Sequence, residues 1–94
     1  MTITIESVIT MDRTLATTKV GDETVIFDDE SGTYVGLNEV GTVIIEELSE
    51  PKSVSSLVDT LISTYDVDQN ICLENVISFL DDMLEAKLIS IKAA

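Results

Sequence analysis

The chain has 94 residues, 45% of them hydrophobic but only 4% aromatic, and its 18 Asp and Glu against five Lys and Arg give a net charge of −13. That length allows one domain over residues 1–94, and the charge repels phosphate backbones and anionic lipid, so nucleic acid and membrane surfaces are excluded as partners. With no His there is no imidazole base, no histidine zinc ligand and no Ser-His or Cys-His pair.

The N-terminal run ITIESV (3–8) is rich in β-branched residues and reads as a strand, so residues 1–12 form either an extra strand or a loose N-terminal segment. A second strand is expected over 14–20, closed by the turn signal Gly21-Asp22. ETVIFDD (23–29) then alternates, and TYVGL (33–37) returns after Glu30-Ser31-Gly32, which predicts a β-hairpin. In the return strand Val35 and Leu37 share the core side and Tyr34 and Gly36 the outer one.

Asn38 is the expected N-cap of a helix over 39–49, with Glu39 suited to the positive helix end and Pro51 stopping the run. Ser53 is placed to cap a second helix whose Val54, Leu57, Val58, Leu61, Ile62 and Tyr65 fall on one side. Asp68 or Asn70 opens a third, reaching about Ala86. It carries two apolar lines about a quarter-turn apart, Leu73, Ile77, Leu80 and Leu84, and Cys72, Val76, Phe79 and Met83, which read either as one wide buried face or as a core line with the second line open as a groove to a partner. The tail LISI (88–91) is expected to pack back as a short extended segment.

Other constellations carry no chemistry. Cys72 lies mid-helix with no cation nearby to activate it, so it reads as a small apolar packing residue. The run Asp66-Val67-Asp68-Gln69-Asn70 begins like a calcium loop, but Ile71 and Ile77 stand where Gly and a bidentate Glu are needed. Gly32, Gly36 and Gly41 lack the Gly-Lys-Ser/Thr of a phosphate loop. No metal, cofactor or catalytic site is expected. A single Cys, with no basic and apolar signal segment and no bilayer-length apolar run, places the chain in a reducing cytoplasm.

The stretch FDDESGTYVGLNEVGTVIIEEL, the Ser-capped helix after it and VISFLDDMLEAKLI together resemble the PqqD-like family, the peptide-binding modules also called RiPP recognition elements. Tyr34, Leu37, Asn38, Gly41, Ile44, Phe79, Leu80 and Leu88 match the family pattern, while Val35 and Ile45 stand where aromatic residues are frequent. Asp29-Glu30-Ser31-Gly32 replaces the Pro-Glu-Gly frequent in relatives of the pyrroloquinoline quinone pathway, so the chain looks most like the stand-alone leader-binding proteins of lasso peptide biosynthesis. The resemblance implies an α+β, winged-helix-like domain: a three-stranded antiparallel sheet followed by three helices.

It also implies function. The protein would catalyse nothing; it would capture the leader of a ribosomally made precursor peptide by strand addition to residues 33–37. It would then present the leader to a transglutaminase-like cysteine protease and, indirectly, to an ATP-dependent cyclase. The residues implied in peptide binding are Tyr34, Val35, Gly36, Leu37, Cys72, Val76, Phe79, Asp82 and Met83, with Gly36 admitting a foreign backbone and Asp82 facing basic leader residues. The weighed alternatives are a peptide chaperone of another modified-peptide pathway such as pyrroloquinoline quinone, an acyl carrier, which lacks its Asp-Ser-Leu here, and a winged-helix DNA-binding protein, for which the third helix offers only Lys87.

Overall fold

The structure, a computed structural model, describes residues 3–11, 16–28 and 32–92. Its elements run β1 (Val8–Met11), β2 (Ala16–Val20), β3 (Glu23–Asp28), β4 (Thr33–Leu37), α1 (Glu39–Glu47), β5 (Lys52–Ser53), α2 (Val54–Thr64), α3 (Gln69–Glu85) and β6 (Ile89–Ile91). The antiparallel sheet β2-β3-β4 followed by three helices is the expected α+β arrangement.

Two turns shape that sheet. Val20 pairs with Glu23, so β2 and β3 are joined through two residues, of which Gly21 takes φ +66. A left-handed first turn residue matches the twist of the flanking strands, and Gly adopts it without steric cost. Alternation then sorts β3: Thr24, Ile26 and Asp28 are buried, while Val25 and Phe27 are half-buried on the outer face. On β4 the inner residue Leu37 is 5% exposed and the outer Tyr34 72% exposed, its ring tilted against Phe27 at a centroid distance of 4.9 Å.

Each helix begins on a side-chain cap. Asn38 Oδ1 accepts from the Gly41 N–H at 2.9 Å, Ser53 Oγ from the Ser56 N–H at 3.1 Å, and Asp68 Oδ1 from the Asn70 and Ile71 N–H groups at 2.9 and 3.1 Å. These bonds satisfy amides that have no partner inside the helix. Asp68, rather than Asn70, opens α3, so the calcium-like run 66–70 is a capping loop.

The helix ends differ from expectation by a residue or two. Leu48 is the C-cap of α1 and Tyr65 that of α2. At the end of α3 the Leu88 N–H donates to the Met83 carbonyl and the Lys87 N–H to the Leu84 carbonyl, both at 3.0 Å, with Lys87 at φ +63. This is a Schellman closure with Lys where Gly is usual.

A second sheet, β5-β1-β6, was not legible in the sequence. Ile9 faces Lys52 on one side and Ile91 on the other, so the N-terminal strand is the centre of a three-stranded sheet closed by the tail. The strand expected at 3–8 starts instead at Val8. Thr4 and Ser7 close a turn before it, the Ser7 N–H donating to the Thr4 carbonyl and the Thr4 N–H to Ser7 Oγ. The carbonyls of Ile5 and Ser7 then accept from the Ser55 and Val54 amides, tying this segment to the start of α2. The expected strand 14–20 is seen as β2 from Ala16; residues 12–15 and 29–31 lie outside the described residues.

Ile9, Ile26, Ile44, Leu57, Leu80 and Leu88 are all within 1% of full burial, so both sheets and all three helices share one core. Its contents are aliphatic. Among the described residues no helix is long and apolar enough to cross a membrane.

Candidate functional site: the β4 edge and the cleft along α3

In the β2-β3-β4 sheet, β4 is an outer strand, paired with β3 on one side only. An edge strand presents main-chain N–H and C=O groups to whatever lies beside it. On β4 the residue expected to admit a foreign backbone, Gly36, is exposed, and a Cβ built on it meets nothing within 4 Å. Val35 is half-buried and Leu37 is anchored in the core, so the strand is held from beneath while its edge stays open.

From Leu37 the chain passes through the Asn38 cap into α1, and there α3 comes close. Phe79 Cε1 lies 3.1 Å from the position of a Cβ on Gly41, and the same position is 3.4 Å from Leu37 Cβ. Gly41 therefore sets the contact between the strand end and α3, because any side chain there would hold the Phe79 ring off.

Three depressions lie near this point. One of about 400 Å³ lies at the β2-β3 turn end of the sheet, among Val20, Glu23, Val25, Gly36 and Leu37. A second, about 210 Å³, lies between α1 and α3 over Gly41, Ile44, Val76 and Phe79. A third, about 190 Å³, opens at the amino end of α3 among Val40, Leu61, Tyr65, Ile71 and Val76. Asn38 borders the first two, and Val40, Asn75 and Val76 border the last two, so neighbouring depressions share walls from the carboxyl end of β4 to the start of α3.

The structure corrects the division of α3. Cys72, Val76 and Met83, read from the sequence as groove lining, are 6%, 1% and 3% exposed and form the buried line with Leu80. Leu73, Ile77 and Leu84, read as core, are only half-buried, as Phe79 is. Packing against α2 and β6 turns the helix by about a quarter-turn from the orientation that the Leu spacing suggests. Val76 and Cys72 still reach cleft walls from below, whereas Met83 sits under the Schellman closure. Asp82 is exposed one turn beyond Phe79, and Tyr34 is on the outer sheet face, away from Leu37.

Several cleft residues were missed. Val40, Val67 and Ile71 are 38%, 44% and 58% exposed, and Ile71 belongs to neither apolar line of α3. The available signal was two aliphatic residues, Val67 and Ile71, set within an acidic capping loop. The Tyr65 hydroxyl donates to Glu39 Oε1 at 3.0 Å, fixing the end of α2 against the start of α1. Partial burial raises the Tyr65 pKa, and the Glu39 hydrogen bond and the charges of Glu39 and Asp22 raise it further. Burial likewise pushes the Cys72 thiol up, which leaves it a poor nucleophile.

Comparison with known proteins now places the chain. Residues 23–89 match the family model of coenzyme PQQ synthesis protein D. The chain belongs to the PqqD family. Among solved structures, TbiB1 in complex with the TbiA(beta) leader peptide is similar, with a TM-score of 0.79 and 27% identity over 90% of this chain and 99% of that one. No curated protein matches the chain.

Proposed function

We propose that this PqqD family protein is a non-catalytic binding domain, one unit over residues 1–94, for the leader region of a ribosomally made precursor peptide. The leader adds as a strand to the free edge of β4, and its side chains enter the path between that strand and α3. Main-chain pairing supplies affinity that depends little on sequence, and pockets select the peptide. The observation that carries this reading is the outer position of β4 with a cleft between α1 and α3 opening just after it at Asn38, in a chain whose structural relative TbiB1 is described with a leader peptide.

Gly36 leaves room for the incoming backbone, Val35 supplies main-chain groups beside it, and Leu37, Val76 and Phe79 bound the path. Asp82 is placed to meet a basic residue of the leader, Tyr34 to cover its flank from the outer face, and Cys72 and Met83 to support the wall from within. The bound leader is then offered to a separate processing enzyme. We assign the pathway to lasso peptides, where that enzyme is a transglutaminase-like cysteine protease and an ATP-dependent cyclase acts afterwards, in the cytoplasm. The family's description favours a second reading, a peptide chaperone for pyrroloquinoline quinone synthesis.

Titration calorimetry with the leader of the precursor encoded beside the protein tests the reading. Saturable binding at about micromolar Kd or tighter is expected. Binding of the quinone-pathway precursor instead would move the protein to the second reading, and binding of neither would contradict both.

A further inference from the structure

The cleft at the amino end of α3 lies beyond the strand-addition site, and its chemistry differs from that of the rest of the surface. Three of the six large hydrophobic side chains exposed among the described residues, Val40, Val67 and Ile71, gather around it. Its floor is Leu61, Cys72 and Val76, all buried, and apart from Asn75 and the Tyr65 hydroxyl it offers water no polar partner. An aliphatic side chain entering a space of about 190 Å³ so lined displaces water that is poorly hydrogen-bonded. The walls are set in advance, since the Tyr65–Glu39 hydrogen bond ties α2 to α1 on one side and the Asp68 cap fixes the loop on the other.

The rim is acidic. Glu39 adjoins Val40, Asp66 and Asp68 bracket Val67, and Asp22 is near enough for its charge to act on the Tyr65 phenol. The described cations lie elsewhere: Lys19 is paired with Glu46, Lys52 is at the opposite end of α2 from Tyr65, Lys87 is beyond the opposite end of α3 from Ile71, and Lys92 donates its amide to Val8 in the second sheet. The amino ends of α1 and α3 contribute about half a positive charge each. Four carboxylates outweigh them, and the field at the cleft is negative.

We propose that this cleft is a second reading site for the peptide, taking one aliphatic side chain of Leu, Ile or Met type with a Lys or Arg beside it. The inference rests on the peptide-binding reading above and adds a sequence preference to it. An aliphatic residue alone would fill the floor; the neighbouring cation is what the acidic rim selects. The walls this cleft shares with the depression over Gly41 and Phe79, which Asn38 borders just after β4, set this pair beyond the stretch that lies along β4.

A display library of random linear peptides, selected on the full chain, provides the probe. Enriched sequences should share an aliphatic residue next to Lys or Arg. In titrations with an enriched peptide, replacing the aliphatic residue by Ser, or changing Ile71→Ser or Val67→Ser in the protein, should each weaken binding about tenfold. Both protein side chains are exposed, so thermal melts of these variants should stay near wild type. Reversing the peptide's cation to Glu should weaken binding comparably at low salt, and the difference should shrink at about 0.5 M salt. Enriched peptides that are lost with Val35→Pro yet indifferent to Ile71→Ser and to their own cation would overturn the cleft assignment and leave strand addition standing. A library that yields no binder would overturn both.

Discussion

Phe79 and Gly41 stand in a contact that is tight for a β-carbon: Phe79 Cε1 is 3.1 Å from where one would sit, so the ring would have to give by a few tenths of an ångström. Gly in a helix costs roughly 0.5–1 kcal/mol relative to Ala. Crowding a packed ring costs about 1–3 kcal/mol, so the close contact outweighs the propensity gain. Gly41→Ala is therefore expected to destabilise the protein by about 1 kcal/mol in urea denaturation. In a Phe79→Ala background the sign should reverse, because only the helix-propensity term is left, giving a gain of about 0.5–1 kcal/mol.

Phe79 and Val76 are neighbours on α3 with different exposure, and they separate binding from folding. Val76 is 1% exposed, and Val76→Ala should cost about 1–3 kcal/mol of stability through the cavity it leaves. Phe79 is half-buried at the cleft, and Phe79→Ala should weaken leader binding by about 1–3 kcal/mol while the domain stays folded. Calorimetric titrations beside thermal melts distinguish the two. A Phe79→Ala protein that melts early and binds normally would place the ring in the core alone.

Lys87 holds φ +63 at the end of α3, a conformation that strains an L side chain by roughly 1–2 kcal/mol. Lys87→Gly keeps both closing hydrogen bonds and removes that strain, offset by the larger backbone entropy of Gly in the unfolded chain. The expected net effect is a gain of up to about 1 kcal/mol in chemical denaturation.

Cys72 should behave as a protected thiol. Its raised pKa means that the folded state favours the neutral form, so this contribution to stability is complete below the ordinary thiol range and is lost as pH rises through the raised value. Labelling by a thiol reagent at mildly alkaline pH should be slow in buffer and accelerate sharply in urea. Rapid labelling of the folded protein would show Cys72 open to solvent.

Local chemistry made much of this legible. Asn38, Ser53 and the pair Asp68 or Asn70, of which Asp68 is the cap, announced three helix starts because a cap acts within three residues of itself, and Gly21-Asp22 announced a turn for the same reason. Longer-range pairing left no such mark. The strand at Val8 pairs with Ser53 and its neighbour Ile9 with Ile91, and β5 is two residues long, too short for any alternation to appear.

The end of α3 near Ala86 was expected, but its Schellman form was hidden because Lys87 occupies a position where Gly would have been the signal. The division of α3 was ambiguous in a different way. Two lines of four apolar residues, about a quarter-turn apart, are equally periodic, and only the packing of α2 and β6 buries Cys72, Val76 and Met83 of one together with Leu80 of the other. Ile71 lay outside both lines and so outside the candidate site.

Amide hydrogen exchange with and without a saturating leader peptide is the most direct test of strand addition at β4. The account predicts slower exchange in residues 33–38, whose outward amides gain partners, and in α3 from its first turn to Met83. The sheet of Val8–Met11 and Ile89–Ile91 should be unchanged and serves as the internal control. Protection confined to α1 and α2, or to that second sheet, with residues 33–38 exchanging as in the free protein, would contradict docking on the β4 edge.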